Sequence, residues 1–475
     1  MRTIALQTQT SEQVGIVIEN DEIIEYISTR PKVKTLSGSI YLGKVGQVNK
    51  DLQAAFIDIG EERKGFLRRE SIPWAHAPIE STLTEGQSLI VQVIKEPLGV
   101  KGAQLSADIT VPGLLVIYQP FGKRVSVSKK MDSVQAGKLK SLVNEQLRSE
   151  EGVIVRTAAA NVSATIILNE INQLRSQWES LMLRESTAKI RKMVDDPILP
   201  DQLIRKHPLS KVKEIVVDNS QLSQSIKNRY PLLAEKVKWV KTVSSYTGKS
   251  INEVQSQLIQ PVVRTEQGME LIIEHTEAMT VIDVNSYKYK QKSLSSFQKL
   301  EMNKEAAKEV AKQIQLRNIS GMILIDFISM QEKKHEKELL RYMKTVVKKD
   351  PVVVTVLAMT KLGLMEMTRK RTWTNIIGEL RVSQSPAFSE DTLLFRLERE
   401  LFENIQSEAV LIAISPSLYE RKKQLLSNDI SSKIPQELFV RTASEVPGWQ
   451  IELEGSLTMI REAIKRRGYH VDNLF

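Results

Sequence analysis

The sequence predicts a multidomain α+β protein, and three observations carry that expectation. Its 475 residues exceed what a single core usually holds, because domains run to roughly 100–200 residues. Between Ser37 and Asp108, short strand-like runs (SIYLGKVGQV, QAAFIDIG, KGFLRRES, SLIVQVIKE, GAQLSADI) alternate with polar turns, the texture of a small β-barrel. Between residues 261 and 378 the patterns LIIEH, MTVIDVNS, LEMNKEAAKEVAKQIQLRN, MILIDFI, HEKELLRYMKTVVKK and VVVTVLA follow one another, a β-α-β-α-β series that folds around a sheet.

In chain order, residues 1–36 alternate apolar and polar positions (VGIVIEN, EIIEYI) up to the turn-prone TLSGS, and so few strands need partners elsewhere. Residues 37–108 form the barrel. Residues 109–204 begin strand-rich (GLLVIYQPF, RVSVSKK, EGVIVRTAA) with one helix around SVQAGKLKSLVNEQLRSEEG. From Asn169 to about Met193 apolar positions recur at helical spacing, until the prolines of DDPILPD interrupt it. Residues 205–260 (KEIVVDNS, LLAEKVKWVKTV) are the expected partners of the N-terminal strands. After the alternating 261–378 segment, the polar stretch 379–389 reads as a linker, and 390–475 as a small α/β domain whose clearest helix is DTLLFRLERELFENI.

Lys plus Arg number 67 against 57 Asp plus Glu, so the formal charge is 67 − 57 = +10, which favours polyanionic partners, nucleic acid first. With no cysteine at all, disulfides, thiolate nucleophiles, iron–sulfur clusters and cysteine-built zinc sites are excluded. The five histidines (His76, His207, His275, His335, His470) show no metal-ligand spacing. The first twenty residues lack a signal-peptide pattern, and no unbroken 18-residue apolar run occurs, so a cytoplasmic protein with no membrane partner is expected.

Two strand-borne acids stand out. Strand alternation in AMTVIDVNS places Met279, Val281, Asp283 and Asn285 on one face, and in GMILIDFI it places Met322, Leu324 and Asp326 on one face. If the intervening helix makes the strands parallel neighbours, both acids lie toward the carboxyl ends, where open α/β sheets place their sites. Two close carboxylates share a proton or recruit a cation. Magnesium, or manganese, suits a set without thiol or imidazole better than zinc does. Capping of turns is the plainer role for such acids, and pattern alone leaves cap and metal ligand open; paired glycosidase carboxylates are a further role, against which the basic charge and an aromatic content of 5% argue.

In the expected barrel, Phe56 and Phe66 flank a basic turn with Arg63 and Lys64, and Arg68, Arg69 and Lys101 add charge. Aromatic rings stack on bases and cations follow phosphates, although phenylalanine in a small barrel is as often core. Further basic residues (Lys123, Arg124, Lys129, Lys130, and Arg369, Lys370, Arg371) read as solvated faces. Arg156 and Thr157 in VIVRTAA offer a guanidinium fork and a hydroxyl suited to a terminal phosphate. Neither GxxxxGK[ST] nor GxGxxG occurs, so nucleotide chemistry has no motif behind it.

TEAMTVIDVNS, EAAKEVAKQIQLRNISGMILIDFISM and KLGLMEMTRKR, taken with YLGKVGQV, QAAFIDIG, KGFL and VRTAA, resemble the ribonuclease E/G family of endoribonucleases. The resemblance runs to about residue 375, and the length resembles the compact form without a long scaffold tail. It implies an RNase H-like subdomain (1–36 and 205–260) carrying an inserted OB-fold RNA-binding barrel (37–108) and a 5′ phosphate sensor subdomain (109–204). A DNase I-like catalytic subdomain (261–378) and the small C-terminal domain would follow. It implies that Asp283 and Asp326 hold a catalytic magnesium with Asn285 orienting an acid or the scissile phosphate. Phe56, Phe66 and Lys101 would contact RNA, and Gly113, Ile117, Arg156 and Thr157 would recognise a 5′ monophosphate.

Three departures from the family pattern qualify the expectation. The CxxC-type zinc link is replaced by ELRVSQSPAF, so no zinc is expected, and the protein should be a monomer or a zinc-independent homodimer. IDFIS carries Ser329 where the family has a second acid, and Val353 stands where a sensor arginine is expected. The expected function is a magnesium-dependent endoribonuclease that cuts single-stranded RNA, in processing of ribosomal and other precursors and in mRNA decay. The alternative is a catalytically weak or inactive RNA-binding adaptor on the same scaffold, and a DNA-directed nuclease is a third possibility.

Overall fold

Strands Arg2–Gln7, Gln13–Glu19 and Glu22–Thr29 pair antiparallel in sequence order in the computed structural model. The second hairpin turns on Asn20 and Asp21, both at positive φ (53° and 60°), the conformation that a two-residue hairpin turn demands and that Asn and Asp tolerate. Val212–Val217 joins Arg2–Gln7 on its open side and Val237–Trp239 adds a parallel fifth strand. The structure describes every residue except 32–34, 98–100, 129–130, 184–188, 277, 288–294, 372–379, 381–387, 404–406, 427–432 and 474–475. Contacts divide the chain into two compact units, 1–32 with 213–228 and 234–475, and 33–212 with 229–233.

The second unit holds the barrel. The long strand Ile40–Asn49 pairs with Ala54–Asp58 along its later half and with Ser88–Lys95 along its other edge, and Gly65–Arg68 and Gln104–Ser106 close the circuit. Arg191–Val194 pairs with the early half of Ile40–Asn49. This corrects the helix expected as far as Met193: the helix is Ala164–Leu183, and Arg191–Val194 is a strand. Local periodicity could not register an edge that the barrel strand leaves open for pairing. A four-stranded sheet in the order Val125–Val127, Gly152–Val155, Val116–Gln119, Val111–Pro112 packs on Ala164–Leu183. Edge-on contacts of Trp74 with Phe121 (5.3 Å) and of Phe121 with Trp178 (5.9 Å) link barrel and sheet.

In the first unit, the described residues of the 261–378 segment build a six-stranded sheet ordered Val262–Arg264, Met269–His275, Met279–Ser286, Gly321–Asp326, Leu364–Arg369, Val354–Met359. The helix Ser296–Leu316 opens on a capping box between Ser295 and Gln298 and makes Met279–Ser286 and Gly321–Asp326 parallel neighbours. Its buried Leu300, Ala306, Ala307, Val310 and Ile314, with Leu339 and Met343 of Lys333–Val346, pack against one face of the sheet, where Ile282, Val284, Ile323, Ile325, Met365 and Met367 point. The opposite face carries Asp283, Asn285, Asp326 and Glu366 beside the half-buried Val281 and Leu324 and the exposed Met322. Leu364–Arg369, absent from the sequence reading, inserts antiparallel between the last two expected strands; its Met-Glu-Met alternation is too short to be distinctive.

Arg369 corrects the reading of TRKRTW as a solvated face. It is 2% exposed, donating from Nε to Asp350 at 2.8 Å and from Nη1 to Asn318 at 2.8 Å and the Ile319 carbonyl at 3.2 Å. Lys370 and Arg371 stay exposed. Breaking a buried pair strands its partner's charge, so Arg369→Leu should cost about 3–5 kcal/mol, read as a lowered denaturation midpoint. The double variant with Asp350→Leu should recover part of that loss.

Among its described residues the C-terminal domain has four strands, ordered Trp449–Gly455, Ala409–Ile414, Glu437–Thr442, Asp472–Asn473. Its helix Glu390–Glu403 is fixed to the N-terminal sheet through a cluster in which Glu12, Arg399 and Gln255 are buried. Glu12 accepts from Arg399 (2.6 Å), Arg30 (2.7 Å) and Gln255 (3.0 Å). Burial acts to raise the Glu12 pKa, but the two guanidinium groups outweigh it and hold the carboxyl below its ordinary value. Among the described residues no helix is long and apolar enough to cross a membrane.

Candidate functional site

Asp283 and Asp326 occupy the open face of the six-stranded sheet, as direct register partners on adjacent parallel strands. Adjacent strands lie about 4.8 Å apart and paired residues project to the same side, so the two carboxylates are neighbours. Asp326 is exposed and Asp283 half-buried. Asn285, two residues on and on the same face, donates from Nδ2 to Oδ2 of Asp283 at 2.7 Å, fixing that carboxylate. Asp283 lies inside Met279–Ser286 rather than at its end, which sets aside turn capping for it. Among the described residues no group of three or more His, Asp or Glu is arranged to hold a metal, so any ion here would rest on two carboxylates and an amide oxygen.

The sequence reading missed two residues on this face. Antiparallel register sets Glu270 opposite Asn285, and Arg264 opposite Glu270; Arg264 Nε donates to Glu270 Oε2 at 2.7 Å. Nothing in the spacing of these residues marks them, because their proximity to the acids exists only across strands.

On the barrel, Phe56 and Phe66 are register partners whose ring centroids lie 5.6 Å apart. Their strand neighbours Ala55, Ile57 and Leu67 fill the barrel core, so parity turns both phenylalanines outward, half-exposed. The Arg68 guanidinium lies 5.9 Å from the Phe66 ring. Gly102 comes so close to the Lys64 carbonyl that a Cβ would overlap its oxygen; this approach, available only to glycine, sets exposed Lys101 beside the basic turn. The structure therefore gathers Phe56, Phe66, Lys64, Arg68 and Lys101 on one region of the barrel. Lys129 and Lys130 lie outside the described residues.

Gly113 and Arg156 also meet. Arg156 Nη1 donates to the Gly113 carbonyl at 2.8 Å, and its other terminal nitrogen donates to the Arg205 carbonyl. Burial, then the nearby Arg205, lower its pKa. The Thr157 hydroxyl pairs with that of Ser128 at 2.8 Å. Ile117 lies on the less buried side of its strand, opposite Ile154. Glu170 organises the loop: its carboxylate accepts from the backbone N–H groups of Leu114 (2.8 Å), Leu115 (2.8 Å) and Val116 (3.0 Å). Burial raises its pKa despite those three bonds. A Cβ on Gly113 would lie 2.8 Å from Glu170 Cδ, so the glycine is required by this carboxylate. Val353 is 68% exposed, and the ELRVSQSPAF segment lies almost wholly outside the described residues.

A small closed barrel bearing an outward aromatic pair among cations defines the class, a nucleic-acid-binding protein, and residues 35–108 match the S1 RNA binding domain. Residues 110–372, more than half of the chain, match the Ribonuclease E/G family. The chain belongs to the ribonuclease E/G family. Among its relatives, Ribonuclease G of Haemophilus influenzae is 29% identical over 455 residues, covering 89% of this chain and 92% of the relative. Ribonuclease G of Escherichia coli strain K12 is 30% identical over 440 residues, covering 85% and 88%. Ribonuclease E of a Synechocystis strain is 31% identical over 428 residues, covering 86% of this chain and 63% of the relative.

Proposed function

We propose that the protein is a magnesium-dependent endoribonuclease that cuts single-stranded RNA in the cytoplasm, in maturation of ribosomal and other precursors and in mRNA decay. The observation that carries the reading is the Asp283–Asp326 register pair on an open sheet face in a chain that also bears an S1 domain. Two carboxylates fit magnesium, which takes one or two of them and fills its remaining positions with water and substrate phosphate; manganese fits the same donors. When bound, the ion would activate water and neutralise charge on the phosphodiester. The chain's part is to hold Asp283 through Asn285, present both acids on one side, and bind the strand through the barrel. Cleavage would leave a 5′ phosphate and a 3′ hydroxyl.

In this reading the domains keep an RNase H-like and DNase I-like ancestry, and Gly113, Ile117, Arg156 and Thr157 form the sensor for a 5′ monophosphate. Because Arg156 and Thr157 already bond to Gly113, Arg205 and Ser128, a terminal phosphate would have to compete for those donors, and discrimination between ends should be modest. No zinc is needed, and a monomer or a dimer held by another surface is the matching state. The test is a labelled single strand, 5′-phosphorylated or 5′-hydroxyl, incubated with and without magnesium. Metal-dependent fragments are expected; RNA retained intact under both conditions would favour the adaptor.

A further inference from the structure

We infer that Arg264 positions the substrate by holding a backbone phosphate of the bound strand beside the one being cut. The inference rests on the cleavage reading above and deepens it.

The open face of the sheet has a charge problem. Within its six strands, register and parity place Glu270, Glu274, Asp283, Asp326 and Glu366 on that face, and among the described residues of those strands Arg264 is the one cation there. A polyanion approaching five carboxylates is repelled, and a divalent ion beside Asp283 and Asp326 would relieve only the centre. Arg264, Glu270 and Asn285 form one row across three strands; Ile272, Asp283 and Asp326 form the next. With strands about 4.8 Å apart and rows about 7 Å apart, Arg264 starts about two strand spacings from Asn285, within reach of a phosphate flanking the acids.

The side chain is built to present a fork rather than to tie the sheet together. Glu270 is 19% exposed at its side chain and Arg264 67%. The carboxylate engages Nε alone at 2.7 Å, and among the described residues neither terminal nitrogen of Arg264 has a hydrogen-bond partner. The Tyr287 ring, 5.7 Å from the guanidinium carbon, steadies it further. A guanidinium held through Nε with two terminal nitrogens left over is arranged for bidentate phosphate recognition. Glu270, neutralised by this contact, is also kept from competing with the strand.

The test uses a short single-stranded RNA with one cut site and versions carrying one uncharged methylphosphonate at each flanking position. Arg264→Ala is expected to lower kcat/KM about tenfold or more with an unchanged denaturation midpoint, since an exposed ion pair adds little stability. Arg264→Lys should recover part of the loss. In the unaltered protein, methylphosphonate at one flanking position should cost a similar factor, and in Arg264→Ala it should cost nothing further. Parental kcat/KM in Arg264→Ala, or losses that add at every position, would overturn the inference. An Asp283→Asn background separates the two readings. If Asp283→Asn still cuts, the cleavage site is elsewhere; if it is inactive and Arg264→Ala binds and cuts like the parent, only the role of Arg264 fails.

Discussion

Asp283→Asn and Asp326→Asn are each expected to reduce RNA cleavage by roughly three orders of magnitude while RNA affinity and thermal stability stay near those of the parent. The expectation follows from where the residues sit. Both lie on the face opposite the helices, with Asp326 exposed and Asp283 half-buried, so an isosteric amide disturbs no packing. The amide introduced by Asp283→Asn would still offer a carbonyl oxygen to Asn285 Nδ2. What disappears is half the negative charge of the pair, and with it the reason for a hard cation to bind. Binding and cleavage measured on the same strand resolve the matter: two variants that cut at the parental rate would remove the acid pair from the mechanism. A collapse of stability would instead assign the aspartates to the fold.

The second large effect is expected at the barrel. Stacking of a base on an aromatic ring contributes about 1–3 kcal/mol, so Phe56→Ala or Phe66→Ala should weaken single-stranded RNA binding by about five- to 150-fold. Because the two rings touch at 5.6 Å, the double variant should lose less than the sum. Salt dependence distinguishes these rings from the cations around them. Lys101→Ala should make the slope of log affinity against log salt shallower by about 0.7, the value for one phosphate contact on a single strand, while the phenylalanine variants should leave the slope unchanged. Unaltered affinity in both phenylalanine variants would make the pair a packing feature of the barrel surface.

Much of this protein can be read from alternation alone. Period-two patterning in MTVIDVNS and MILIDFI assigns Asp283, Asn285 and Asp326 to common faces, because strand parity is fixed by backbone geometry regardless of what surrounds it. The same rule, applied to AAFID and GFLR with knowledge of which side is core, turns Phe56 and Phe66 outward; without the core, parity cannot tell platform from packing. Arg369 shows the opposite limit. It sits in a run of cations that reads as surface, yet Asp350 and Asn318 supply buried acceptors from 19 and 51 residues away, and no local window contains them. Arg191–Val194 reads as the end of a helix for a related reason: its strand identity comes from the edge of Ile40–Leu42.

The amino-acid order by itself determined the class of fold, the polyanion-seeking charge, the exclusion of cysteine chemistry and the side of each strand on which the candidate acids stand. Tertiary structure alone decided that Asp283 and Asp326 are direct neighbours, that Asn285 holds one of them, that Glu170 fills the loop beside Gly113, and that Arg264 shares the face of the acids. The division has a physical cause. Parity and composition are properties of short windows of chain, whereas register between strands 43 residues apart (Asp283 and Asp326) is set by the length and packing of the helix that connects them and by the hydrogen-bonded ladder they complete.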